Sequence, residues 1–211
     1  MGSKRRLFGI DRSGGPPPQT LSDQPLNPWT IPNAIGYVRL AGIPVFLVLA
    51  LSSDDGKDVT AAIVFAVIGW ADYLDGFAAR LTGQYSRLGA LLDPIVDRLL
   101  IVSGLVVAFH FSLLPRWAIV LAVARELFML AISRYGLSRG LELNINWFGR
   151  LGVAPTMGAP FFAMLGLHVV AVVMLYCGLA LSLTATAVYV KRGVEQVRDR
   201  NRGASGHSAH G

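Results

Sequence analysis

Charge is what this chain has least of. Only 15% of its 211 residues are Asp, Glu, Lys or Arg, against roughly 25% in an ordinary soluble domain. That shortage excludes a surface built wholly for water, and a hydrophobic content of 53% shows what replaced it. Cysteine is as scarce. The single Cys177 lies in an apolar stretch, which excludes an internal disulfide framework and reads as a buried, inert thiol. A secretory leader is not expected, because Lys4, Arg5, Arg6 and Arg12 run into SGGPPPQTLSDQPLNP rather than an apolar core. No internal repeat of about 20–50 residues is apparent.

What the chain does hold is apolar runs of about 20 residues, long enough to cross a ~30 Å hydrocarbon core as helices. Six spans are expected: Ile31–Leu51, Val59–Arg80, Arg87–Phe109, Arg116–Tyr135, Trp147–Leu167 and His168–Val190. The fold class is therefore all-α, an integral membrane bundle of six transmembrane helices. Residues 1–28, basic and proline-rich, and residues 194–211 have too little apolar content to order themselves. They are expected to be flexible tails on a membrane domain at 29–193.

Basic residues mark one side of that bundle. Arg80, Arg87, Arg134, Arg139, Arg150 and both basic ends fall on it, while SSDDGKD and HFSLLPR fall on the other. Positively charged loops face the cytoplasm, so both termini are expected there. The net charge of +6 then reports topology, and no nucleic-acid partner is expected.

Against this apolar background stands ADYLDGFAARLTGQYSRLGALLDPIVDRLL, residues 71–100, with Asp72, Asp75, Asp93 and Asp97. Positions three, four and seven apart share a helix face. Asp72, Asp75, Gly76 and Ala79 form one such stripe with Arg80 at its rim, and Asp93 and Asp97 form a second with Gly89 a turn earlier. A short loop, LTGQYS, lets the two stripes oppose each other. Each Asp deep in a span costs ~2.5–3.5 kcal/mol, so something must offset four of them. Arg80 and Arg98 can compensate two acids at most, and Arg98 lies about 100° round the helix from Asp97. A divalent cation, or a pair, supplies the missing charge. Carboxylate oxygens suit Mg²⁺ or Mn²⁺, and Mg²⁺ commonly completes its shell with substrate phosphates. Small side chains at Gly76 and Ala79 leave room for a bulky ligand, and Arg80 suits a phosphate.

The spacing D72-x-x-D75-G76-x-x-A79-R80-x(8)-G89-x-x-x-D93-x-x-x-D97 resembles the signature of the CDP-alcohol phosphotransferases, integral-membrane enzymes of phospholipid synthesis. The resemblance implies that Asp72, Asp75 and Asp93 hold a pair of divalent ions, Mg²⁺ or Mn²⁺. Asp97 is implied as a further ligand and the general base. Gly76, Ala79, Arg80, Ser86 and Gly89 are implied as contacts for the cytidine diphosphate donor. Asn33, in IPNAIGYVRL, is similar to an Asn that helps hold the donor, although Gly36 stands where the family usually has Thr. The family also implies a homodimer in the bacterial cell membrane, surrounded by lipid, with its site facing the cytoplasm.

The first-helix pattern, SRLGALLDPIVDRL and ARELFML look like the branch making phosphatidylglycerophosphate or cardiolipin, with CDP-diacylglycerol as donor. The acceptor is then glycerol 3-phosphate or phosphatidylglycerol, with glycerol 3-phosphate taken first and inositol phosphate or serine as lesser alternatives. Arg125, Arg134 and Arg150 are the candidate acceptor contacts, since guanidinium forks suit a phosphate. Phosphatidylglycerophosphate synthases often read Gly-Lys-x-Lys-Thr where this chain reads Gly149-Arg150-Leu151-Gly152-Val153. A cation transporter is the reading from another class, because it too needs intramembrane acids. Its acids would sit at the midplane beside broken helices. Here they gather toward one face, and Pro44, Pro155 and Pro160 are not beside them.

Overall fold

The computed structural model describes residues 25–138 and 147–207. Those residues form helices and no strands: α1 (Ile31–Leu51), α2 (Val59–Thr82), α3 (Arg87–His110), α4 (Arg116–Ser138), α5 (Trp147–Met164) and α6 (His168–His207). Each expected span coincides with one helix, and α6 continues past Val190 through its polar segment to His207.

Local chemistry sets the boundaries that matter for the site. Thr30 caps α1, its hydroxyl accepting the Asn33 N–H at 3.3 Å, with Pro32 in the first turn, where the absent N–H costs nothing. Asp58 caps α2 by accepting from the N–H groups of Thr60 and Ala61. That helix stops at Gly83, whose φ of +66° is the left-handed turn glycine adopts without strain. Ser86 then caps α3, its hydroxyl accepting the Gly89 N–H at 2.9 Å.

The chain forms two compact units. In the first, α1 packs against both α2 and α3. Phe46 and Phe65, both buried, meet with ring centroids 5.1 Å apart. Gly42 lets α1 approach α2, since a Cβ there would lie 3.0 Å from the Ile68 side chain. In the second unit α4 packs against α6. A tight crossing joins α5 to α6: a Cβ on Gly178 would lie 2.8 Å from the Thr156 backbone nitrogen, and one on Gly152 would lie 3.3 Å from that of Ser182. Small residues repeated every fourth position are how membrane helices approach closely.

Among the described residues, three helices are long and apolar enough to cross a membrane by length and composition: Ile31–Leu51, Val59–Thr82 and the His168–Lys191 part of α6. Two of the others are diluted by charged residues, Asp93, Asp97 and Arg98 in α3 and Arg125 and Glu126 in α4. One expectation fails outright. Cys177 is exposed, not buried, because it falls on the outer face of α6, next to the exposed Tyr176.

Candidate active site at the ends of α1, α2 and α3

The centre of the acid cluster is a residue that the sequence reading passed over. Arg39, from α1, is 1% exposed and reaches both neighbouring helices. Its Nε donates to the Ile68 carbonyl of α2 at 3.1 Å. Its Nη1 donates to Asp72 Oδ1 at 3.1 Å and Asp75 Oδ2 at 3.0 Å. Its Nη2 donates to Asp97 Oδ1 on α3. Three of the four predicted acids thus converge on one guanidinium, each through a single oxygen. Asp75 is buried, whereas the Asp72 side chain is 47% exposed and that of Asp97 37% exposed. Asp93 is half-buried and makes no ion pair among the described residues.

Beside this cluster lies a cavity of about 170 Å³. Every residue singled out as a donor contact lines it: Asn33, Gly76, Ala79, Arg80, Ser86 and Gly89, together with Asp75 and Asp93. Asp72 and Asp97 do not line it and are tied to it through Arg39 and Asp75. The walls include the first turns of α1 and α3, so two helix N-termini, the positive ends of their dipoles, border the space. Arg80 lies over Gly76, where a Cβ would be 3.3 Å from Nη1. A cavity with a guanidinium, two helix N-termini and small residues on its walls suits a phosphate-bearing ligand.

Asn33 builds this wall. It is 1% exposed. Its Nδ2 donates to the carbonyls of Asn27 at 2.9 Å and Pro28 at 3.1 Å, and its Oδ1 accepts from the Ser86 hydroxyl at 2.8 Å. The segment before α1 is strapped over the cavity edge by these bonds and by Leu88 N–H donating to the Leu26 carbonyl. Gln84, also on the wall, accepts the Ile31 N–H and satisfies one of the open donors of α1. Pro32, Gln84, Tyr85 and Ala90 are the lining residues that sequence reasoning did not pick out. Pro94 was missed as well, and it does adjoin Asp93. Lacking an N–H, it leaves the carbonyl of Ala90 without its usual helical donor.

Among the described residues, no three His, Cys, Asp or Glu side chains are already arranged around a metal position. The donor set fits a divalent ion on other grounds. Four carboxylates stand near one buried guanidinium, so negative charge is in excess. Arg39 takes one oxygen from each of three acids, and Asp93 is outside its reach. The oxygens are hard ligands of the kind that hold Mg²⁺ or Mn²⁺.

The acceptor candidates lie in the second unit. Arg125 is engaged within it, with Nε donating to Thr186 Oγ1 at 2.9 Å and Nη1 to Glu126. The side chains of Arg134 and Arg150 lie outside the described residues.

Comparison with known proteins bears on the family. Residues 29–184 match the family model for CDP-alcohol phosphatidyltransferase. The CMP-forming cardiolipin synthase of Streptomyces coelicolor is 45% identical over 106 residues, 49% of each chain. A Mycobacterium tuberculosis protein named "Probable phosphatidylglycerophosphate synthase" is 33% identical over 173 residues, 78% of this chain and 82% of that one. The CDP-diacylglycerol–glycerol-3-phosphate 3-phosphatidyltransferase of Bacillus subtilis is 27% identical over 135 residues, 58% and 70% of the two chains. The match spans about half the length of the cardiolipin synthase relatives.

Proposed function

Because the chain belongs to the CDP-alcohol phosphatidyltransferase family, we propose that it moves the phosphatidyl group of CDP-diacylglycerol onto a glycerol-based alcohol and releases CMP. The observation that carries this reading is the cavity itself. It gathers every motif residue assigned to the donor, with the acid cluster directly behind it.

In this mechanism Arg80 and the positive dipole ends of α1 and α3 hold the diphosphate by charge, since the N–H groups of Ile31, Asn33, Leu88 and Gly89 are already bonded within the wall. Asn33 and Ser86 fix the wall and stay bonded to each other. Asp97 takes the proton of the acceptor hydroxyl as its oxygen attacks the phosphorus of the phosphatidyl group. The bond from that phosphorus to the CMP oxygen breaks in the same step. Asp97 is also bonded to Arg39, which weakens it as a base, so proton transfer is late. Ser86 is no nucleophile here, because its hydroxyl donates to an amide oxygen rather than to a base. Transfer is therefore direct, without a phosphoenzyme. Asp72, Asp75, Asp93 and Asp97 would hold Mg²⁺ or Mn²⁺, which when bound neutralises charge on the diphosphate and the leaving CMP.

Phosphatidylglycerol is the acceptor that the geometry favours. Gly152 stands at the second Lys position of the Gly-Lys-x-Lys-Thr pattern, and it is locked into the α5–α6 crossing. A Cβ there would meet Ser182 N at 3.3 Å, Gly178 O at 3.4 Å and Leu181 Cβ at 3.4 Å, so a side chain at this position would crowd the crossing. The 45% identity to a CMP-forming cardiolipin synthase supports the same acceptor. Glycerol 3-phosphate is the second reading, favoured by the longer match to the protein named as a phosphatidylglycerophosphate synthase. Purified protein given CDP-diacylglycerol, Mn²⁺ and both acceptors in parallel is expected to make cardiolipin. Formation of phosphatidylglycerophosphate instead would assign glycerol 3-phosphate. CMP release that ignores both acceptors would sink the transferase reading.

The reading has six spans in a bacterial cell membrane, a homodimer, and both termini and the site on the cytoplasmic side. The charge asymmetry of the loops and the three apolar helices support the topology, and the homodimer rests on the family resemblance alone.

A further inference from the structure

Arg39 raises a question that the motif does not answer, since a buried guanidinium among proposed metal ligands can either compete with the metal or prepare for it. The side chain is not free to leave. It is 1% exposed, and its Nε is anchored to the Ile68 carbonyl, a backbone atom of α2. Its two terminal nitrogens engage Asp72 and Asp75 on α2 and Asp97 on α3. Each acid offers one oxygen, so the second oxygen of each is not taken up by Arg39. Without a cation between them, three carboxylates from two helices repel one another.

We infer that Arg39 is the positioning residue of the acid cluster: a fixed guanidinium fork that holds one oxygen of Asp72, Asp75 and Asp97 and leaves the other for a divalent cation. This rests on the metal-dependent reading above. The fork geometry is what the role requires, because only a planar group with several donors can bind acids on two helices and a backbone carbonyl at once. A lysine at the same place supplies equal charge through one nitrogen. The hydrogen-bonded supports of metal ligands typically carry about 10–100-fold in metal affinity.

The test measures metal binding without turnover. Full-length protein in detergent is titrated with Mn²⁺, and free Mn²⁺ is read by electron paramagnetic resonance for wild type, Arg39→Met, Arg39→Lys and the loop control Lys57→Met. Both Arg39 variants are expected to bind Mn²⁺ at least ~10-fold more weakly than wild type and the control. A helix-packing role alone would lower thermal stability and leave the affinity of the folded protein unchanged, and that result overturns the inference. Tighter binding by Arg39→Met would show competition, and wild-type affinity in Arg39→Lys would show that charge suffices; either overturns it. Where Arg39→Met does not fold, the lysine variant decides. If wild type itself binds no Mn²⁺, the metal reading falls, an outcome distinct from a wild type that binds and variants that bind equally well.

Discussion

Purified Asp97→Asn protein is expected to release CMP from CDP-diacylglycerol about 100- to 10,000-fold more slowly than wild type at saturating acceptor, the range that a positioned general base contributes. The substitution removes the basic oxygen and keeps the shape of the side chain. An amide oxygen can still accept from Arg39 Nη2, and Arg39 retains Asp72 and Asp75, so the three helices stay tied. Thermal stability should therefore change far less than rate. The control is Asp55→Asn, in the loop between α1 and α2, which is expected to leave the rate unaltered. Asp97 has a second assigned role as a ligand, and raising Mn²⁺ separates the two. A lost ligand is compensated in part by more metal, whereas a lost base is not. Equal CMP release by wild type and Asp97→Asn would remove Asp97 from the chemistry.

The acids were legible in the sequence because charge in an apolar run is costly wherever it falls, and because spacings of three and four fix a helix face. Their counter-cation was not legible by the same route. Helix spacing points only to partners along the helices that carry the acids, and Arg39 stands 33, 36 and 58 positions away from Asp72, Asp75 and Asp97. Only tertiary packing closes those separations. A signal did exist: Arg39 is the one basic residue of Ile31–Leu51, and a lone Arg in a span needs a partner as much as a lone Asp does. Pro94 was hidden differently, inside the motif that drew attention to its neighbours. The helix count was readable from apolar length, yet α3 and α4 escape a composition test because the site and its surroundings put charge into them. Gly152 reads in sequence as a missing lysine. In the structure it sits in a close helix crossing, where a side chain would be crowded.

Gly89→Ala is expected to raise the KM for CDP-diacylglycerol at least ~10-fold, by disturbing a wall in which polar groups are buried and mutually satisfied. The added methyl would lie 2.7 Å from Asn33 Oδ1 and 3.1 Å from Ser86 Oγ. Neither neighbour yields easily. Asn33 is held by the carbonyls of Asn27 and Pro28, and Ser86 caps α3 through the N–H of Gly89 itself. Parting them breaks the 2.8 Å bond between two buried side chains. A buried polar group left unmatched costs about 1–3 kcal/mol, and a lost cap typically about 1 kcal/mol more. Stability should fall by roughly that amount, and the first turns of α1 and α3 shift together, because Asn33 belongs to one and Ser86 begins the other. Those turns are the proposed donor contacts. Asp97 and Arg39 lie outside the cavity lining, so kcat should fall less than kcat/KM. Gly83→Asn makes the comparison sharp: Gly83 is left-handed at φ +66° with nothing within 4 Å of a Cβ, and Asn tolerates that conformation. That variant should keep the wild-type KM. If Gly89→Ala kept it too, the wall formed by Asn33, Ser86 and Gly89 would not be where the donor binds.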